Sequence, residues 1–250
     1  MQATVYVAID TPDLKAAREL VSEVSMEGIG LKIGLEFFVA NGSSGVRDLM
    51  AGACAPLFLD LKFHDIPNTV AGAVRAAVAL EPAVINVHAG GGAAMMRAAV
   101  AAVSEAAKSV GVRRPLVLAV TVLTSMDESD LIAVGQQGPP HDQVVRLATL
   151  AQECGMDGVV CSAREIELIR KNCGRDFVLI VPGIRPAGSS QGDQKRVMTP
   201  SEAMRAGATA LVVGRPITSA THKREAALAV LRECEAALPT VPAPEPAPVV

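Results

Sequence analysis

Short runs of β-branched and aliphatic residues recur along the chain, and longer stretches with apolar residues at helical spacing separate most of them. The runs are VYVAI (Val5–Ile9), GLKIG (Gly30–Gly34), PLFLDLKF (Pro56–Phe63), AVINVH (Ala83–His88), PLVLAVTVL (Pro115–Leu123), GVVCS (Gly158–Ser162), FVLIVP (Phe177–Pro182) and ALVVG (Ala210–Gly214), eight strands in all. Helical spacing marks Pro12–Val24, Asn68–Leu80, Gly91–Val110, Asp142–Cys154, Arg164–Lys171, Pro200–Ala206 and Ser219–Ala237. The first of these has Thr11 placed as an N-cap and Pro12 in its opening turn. Strands apolar on both faces that alternate with helices imply a parallel sheet covered by helices. Eight such units in 250 residues favour an α/β fold closed into a single (β/α)8 TIM barrel. The alternative, an open doubly wound sheet, would carry a GxGxxG turn after an early strand. The first turn here reads IDTPDLKAA and lacks it.

Two stretches break the rhythm. Arg185–Thr199 (RPAGSSQGDQKRVMT) is polar, rich in Gly and Ser and long for a βα loop, which marks it as a candidate lid. Residues 239–250, PTVPAPEPAPVV, are rich in Pro and Ala without helical spacing and read as a disordered tail. The catalytic barrel is therefore expected over residues 1–238.

Composition narrows the function. Lys and Arg number 23 against 26 Asp and Glu, interspersed along the chain, and Phe and Tyr together number six with no Trp. A nucleic-acid binder would show a basic stripe and stacking aromatics; no such stripe is present and aromatics are scarce. The five cysteines (Cys54, Cys154, Cys161, Cys173 and Cys234) form no CxxC pair and read as reduced thiols, not as a disulfide frame or zinc site. No apolar run approaches the ~18 residues of a membrane span, and no basic segment precedes the first strand. A soluble cytoplasmic protein with no membrane and no nucleic-acid partner is expected.

In a parallel barrel the ligand site lies at the C-terminal ends of the strands. The polar residues there are Asp10, Lys32, Asp60, Lys62, Asp65, His88, Thr124, Ser125, Ser162, Arg185 and Gly214-Arg215. In PLFLDLKF, Asp60 and Lys62 stand two apart and share a face of the strand, the one turned into the barrel, where unpaired charge is costly. Lys32 and Asp10 on the preceding strands can join them in an alternating cluster. A buried structural ion network would have the same spacing, but two lysines and several aspartates converging at a barrel mouth point to a functional array. After the eighth strand, Gly214 and Arg215 stand where barrels commonly bind phosphate. Glycine lets the backbone approach the anion and arginine grips it with two donors.

The run DLKFHDIPNTV (Asp60–Val70) resembles the signature of the orotidine 5′-monophosphate decarboxylase family. VAID (Val7–Asp10), LKIG (Leu31–Gly34), VTVLTSM (Val120–Met126), DGVVCSA (Asp157–Ala163), PGIRP (Pro182–Pro186), GDQKRVMTP (Gly192–Pro200) and VVGRPIT (Val212–Thr218) extend the resemblance, in order, from about residue 4 to about residue 232. The resemblance implies cofactor-independent decarboxylation of orotidine 5′-monophosphate to uridine 5′-monophosphate, the last step of de novo pyrimidine nucleotide synthesis. It implies Lys62 as proton donor to the carbon that loses carbon dioxide and Asp60 beside the substrate carboxylate. Lys32 would complete the array and touch the ribose. Asp65 and Thr69 would enter the active site of the other subunit of a homodimer. Asp10 would bind ribose hydroxyls, Thr124 the pyrimidine edge, and Pro182 would touch the nucleotide. Arg185, Gln194, Gly214 and Arg215 would hold the phosphate, Gln194 from the lid. No metal or organic cofactor is implied.

Three side chains have a plainer reading. His64, inside the signature, is read as structural in preference to a general acid, His88 has no assigned role, and Cys161 is read as core filler. Two other functions compete with the decarboxylase. One is a magnesium-dependent relative acting on sugar phosphates from the same Asp-x-Lys-x-x-Asp strand, a keto-gulonate phosphate decarboxylase or a hexulose phosphate synthase. The other is a catalytically silent nucleotide-binding barrel.

Overall fold

A computed structural model of the chain describes residues 4–186 and 198–237. Eight parallel strands close into a barrel in sequence order: β1 (Val5–Ile9), β2 (Ile29–Ile33), β3 (Leu57–Phe63), β4 (Val84–His88), β5 (Leu116–Val120), β6 (Gly158–Val160), β7 (Val178–Val181) and β8 (Ala210–Val213), with β8 pairing back onto β1. The α-helices are α1 (Leu14–Val24), α2 (Leu35–Met50), α3 (Pro67–Val78), α4 (Gly92–Val110), α5 (Glu128–Ala133), α6 (Pro140–Glu153), α7 (Ile166–Cys173), α8 (Pro200–Ala206), α9 (Arg215–Thr218) and α10 (Lys223–Glu235). None of the described helices is long and apolar enough to cross a membrane.

The strands sort their residues by parity. Odd-numbered positions such as Val5, Val7, Leu31, Ile33, Leu59, Ile85 and Val87 join the large outer core. Tyr6, Ala8, Phe58, Val84, Leu118, Ile180, Ala210 and Val212 form a separate cluster inside the barrel. Tyr6 and Phe58 meet edge to face, with centroids 5.6 Å apart and rings at 75°. Gly30 on the strand between them is paired with Tyr6 and carries no side chain to obstruct the contact. This apolar plug closes the barrel below the next inward positions, Lys32, Asp60 and Asn86, and leaves only the C-terminal mouth open to polar chemistry.

The expected strands are all present, with ends shifted by a residue or two except at β5, which ends at Val120, three residues before the expected Leu123. Helix α10 begins at Lys223, four residues after the expected Ser219, and three further differences concern the other helices. Helix α1 begins at Leu14, and its cap is Asp13, whose Oδ1 accepts from Lys15 N at 2.7 Å and Ala16 N at 3.3 Å. Thr11 does not cap α1; its hydroxyl accepts from Asp13 N instead. Helix α2 has no counterpart among the expected helices, and the turn-forming residues NGSSG lie at its middle. Gly42 sits there at φ 63 and ψ −168, so two helical halves join across a kink that glycine tolerates. The short helices α5 and α9 likewise fall in stretches without sustained periodicity. The Pro/Ala-rich tail lies outside the described residues.

Candidate active site

A cavity of about 310 Å³ opens at the C-terminal end of the barrel, within the range of small-molecule sites. Its floor is Ala8, Phe58, Val120, Val160 and Val212, and its polar wall carries Asp10, Lys32, Asp60, Lys62, Thr124, Arg185 and Arg215. Pro182 and Gly214 complete the rim together with Val122, Leu123, Cys161 and Gly183.

Four charges interleave along β1, β2 and β3. Lys32 Nζ lies 3.4 Å from Asp10 Oδ1 and 3.3 Å from Asp60 Oδ2, and Lys62 Nζ lies 2.7 Å from Asp60 Oδ1. The register brings these groups together, since Ala8 pairs with Lys32 and Lys32 with Phe58, which places Asp10 and Asp60 one step above their neighbours. Gly34 leaves room for the array, because a Cβ there would stand 3.2 Å from Lys32 Nζ and 3.5 Å from Asp10 Oδ1. Burial disfavours ionisation of the Asp60 carboxyl, but the charges of Lys32 and Lys62 and hydrogen bonds from Lys62 and Asn86 outweigh it and hold its pKa below the ordinary carboxylate range. Asp60 and Lys32 are nearly buried, whereas the Lys62 side chain is 30% exposed and turned to the open cavity.

The Lys62 backbone departs from the regular strand on which the sequence reading rests. Its φ is 50, and the β3–β4 register shifts between Leu59 and Phe63. Asp60 and Lys62 do share the inner face, but by way of a bulge.

On another wall, Arg185 and Arg215 both line the cavity. Burial, then repulsion from Arg215, lowers the Arg185 pKa, so two like charges act on each other at this end. Arg185 Nη1 donates to Ile184 O at 3.0 Å, and Arg185 N donates to Met198 O at 3.0 Å. Gly214 is the N-cap of α9, and Thr124 follows β5 at the rim. Asp65 and Thr69, by contrast, are exposed and do not line this cavity, and Ile66 between them is 67% exposed. Gln194 lies outside the described residues, as does most of the stretch expected to form a lid.

Of the other strand-end residues, Ser162 is buried in a turn where its N–H donates to Glu165 Oε2 at 2.9 Å, away from the cavity. His64 is exposed and lies 5.4 Å, centroid to centroid, from His88, which ends β4. Burial, then electrostatic repulsion on the side of His64 and Lys62, lowers the His88 pKa from its ordinary value. Cys161 forms part of the lining, and burial raises its pKa far above that of a nucleophilic thiol. Sequence reasoning missed Asn86, which is fully buried on β4 and bonded to both Asp60 and the Lys62 backbone. The signal was present in AVINVH, where Val84, Asn86 and His88 share the inward face.

The profile of the orotidine 5′-phosphate decarboxylase / HUMPS family matches residues 3–230. The chain belongs to this family. The orotidine 5′-phosphate decarboxylase of Rhodospirillum rubrum is 53% identical over 232 residues, covering 93% of this chain and 94% of the relative. That of Moorella thermoacetica is 52% identical, with 92% of each chain covered. Among solved structures, the orotidine 5′-phosphate decarboxylase of Lactobacillus acidophilus superposes with a TM-score of 0.82 at 35% identity, covering 93% of this chain and 99% of that one. The family description carries a second name beside the decarboxylase, and it is the decarboxylase name that these relatives carry.

Proposed function

We propose that the chain decarboxylates orotidine 5′-monophosphate to uridine 5′-monophosphate, the closing step of de novo pyrimidine nucleotide synthesis, without a cofactor. The observation that carries this reading is the Asp10–Lys32–Asp60–Lys62 array on the wall of a cavity that also exposes Arg185 and Arg215.

The chemistry explains why such an array is needed. When the carboxylate leaves as carbon dioxide, the electron pair of the broken bond stays on a ring carbon with no effective sink. The ammonium of Lys62 stabilises that pair and delivers a proton to the carbon, and solvent then restores the lysine. A charge about 4 Å from the developing carbanion contributes roughly 4 kcal/mol at an effective dielectric near 20. Enzymes typically supply about 8–23 kcal/mol, so the phosphate grip must serve the transition state as well as affinity. Asp60, ionised beside Lys62, keeps the ammonium oriented and crowds the substrate carboxylate. In this assignment Lys32 and Asp10 reach the ribose, Thr124 and Pro182 the base, and Arg185, Arg215, the Gly214 backbone and Gln194 the phosphate.

We also infer a homodimer in which Asp65 and Thr69 enter the partner's site. Their exposure beside exposed Ile66, outside their own cavity, supports it.

Loss of orotidylate absorbance with the purified chain, no added cofactor and excess chelator tests the activity. Turnover is expected. A folded, inactive protein would overturn the reading, and activity on a sugar phosphate that the chelator abolishes would favour the magnesium-dependent relative. In the same assay, a mixture of Lys62→Ala and Asp65→Ala proteins should recover activity through hybrid dimers. No recovery would remove Asp65 from the shared site.

A further inference from the structure

Strand β3 does not end as a regular strand. Its ladder to β4 runs in step at Phe58–Val84 and Leu59–Ile85 and resumes at Phe63–Val87. Four steps of β3 therefore face two of β4, and the surplus chain is taken up around Asp60, Leu61 and Lys62. Lys62 pays for this with φ 50, a left-handed conformation that strains a residue carrying a Cβ. A bulge also strips main-chain groups of their ladder partners, and a buried N–H left without an acceptor is costly.

At Lys62 the missing acceptor is a side chain. Lys62 N–H donates to Asn86 Oδ1 at 2.8 Å. The other end of the same amide, Nδ2, donates to Asp60 Oδ1 at 2.7 Å, and that oxygen also receives Lys62 Nζ at 2.7 Å. The result is a closed ring running from the Lys62 main chain through the Asn86 amide and the Asp60 carboxylate to the Lys62 ammonium. Only one orientation of the amide serves it, since the reverse would set N–H against N–H and carbonyl against carboxylate. Asn86 is 0% exposed and does not line the cavity, so it reaches the chemistry only through these two neighbours.

We propose that Asn86 is a positioning residue for the decarboxylation: one amide fixes the bulged backbone of Lys62 and the carboxylate that steers its ammonium. The inference rests on the roles given above to Lys62 and Asp60. A plainer role, in which Asn86 merely fills the bulge, would affect folding and leave each folded site at full turnover.

The experiment compares wild type, Asn86→Ala and Asn86→Asp in kcat on orotidylate, affinity for uridine 5′-monophosphate and Tm, with sites counted by titration with uridine 5′-monophosphate. Asn86→Asp preserves volume and the acceptor for Lys62 N–H but sets a carboxylate against Asp60. Both variants should lose roughly 10- to 100-fold in kcat per site, as expected for partners one layer behind a functional group. Affinity for uridine 5′-monophosphate, carried largely by the phosphate end, should change by no more than about twofold. Unchanged kcat per site, or equal factors lost from kcat and affinity, would overturn the proposal. If Asn86→Ala fails to fold, Asn86→Asp carries the test. An inactive wild type would instead overturn the decarboxylase reading itself.

Discussion

The end of β3 and the ends of β7 and β8 face one cavity and treat charge in opposite ways. At β3, cations and anions alternate, each ammonium lies within 3.4 Å of a carboxylate, and Asn86 braces the array from behind. Its geometry is set before any ligand arrives, and preorganisation of this kind is what makes charge effective in a transition state. At β7 and β8, Arg185 and Arg215 act on each other as like charges, and burial adds to the penalty on Arg185. On the proposed assignment, an arriving phosphate would relieve that repulsion and complete this end of the site. The contrast assigns chemistry to one wall and capture to the other, and it can be broken by removing one group from each.

The largest effect should come from the preorganised wall. Lys62→Ala removes the proposed proton donor together with its positive charge, and kcat should fall by at least about 10⁴-fold, the upper range for a single acid–base group. Affinity for uridine 5′-monophosphate should survive within several-fold, because the phosphate end is untouched. Isothermal titration beside steady-state kinetics reads both quantities, and near-normal turnover would remove Lys62 from the mechanism.

A smaller effect of a different kind is expected at the capturing wall. If Arg215 holds the phosphate as proposed, Arg215→Ala deletes charge-assisted hydrogen bonds worth about 1.5–3 kcal/mol each. Loss of about 3 kcal/mol weakens uridine 5′-monophosphate by roughly 100-fold, while uridine, lacking the phosphate, should bind almost unchanged. Equal losses for nucleotide and nucleoside would refute the phosphate assignment and erase the distinction between the walls.

How much of this was legible in the sequence follows from what periodicity can carry. Alternation along PLFLDLKF placed Asp60 and Lys62 on one face, and strand-end position assembled Asp10, Lys32, Thr124, Arg185 and Arg215 around one mouth, where the structure puts them. The bulge was illegible, because a run of residues has the same spacing whether or not its partner strand keeps step. Asn86 was overlooked for a related reason: a lone amide within a strand becomes informative only when the groups it meets are known. Helix α2 was hidden by NGSSG, whose turn chemistry conceals a helix that tertiary packing sustains through Phe37, Val46 and Leu49. Asp65 and Thr69 show the limit for a single chain, since nothing within one barrel says what an exposed carboxylate meets.

The smallest effect sharpens the contrast by asking what preorganisation is worth to the fold. Asp60 is held ionised by Lys32, Lys62 and Asn86 against the burial that opposes it, and its net pKa is lowered. A carboxyl whose folded pKa lies below its unfolded value of about 4 stabilises the protein above that pH and loses the contribution as pH falls through the folded value. Asp60→Asn should therefore lower Tm at pH 7 by about 2–8 °C, for ~1–2 kcal/mol lost from ion pairs that the open cavity partly solvates. The gap between wild type and variant should narrow as the pH is taken below 4, because the unfolded chain binds a proton there that the folded carboxyl, with its lowered pKa, still refuses. Calorimetric scans of both proteins at pH 7 and at pH 3.5 read the change. A gap independent of pH would mean that the ionised carboxylate does not stabilise the fold, and that the order of the β3 wall is imposed by the bulge and Asn86 alone.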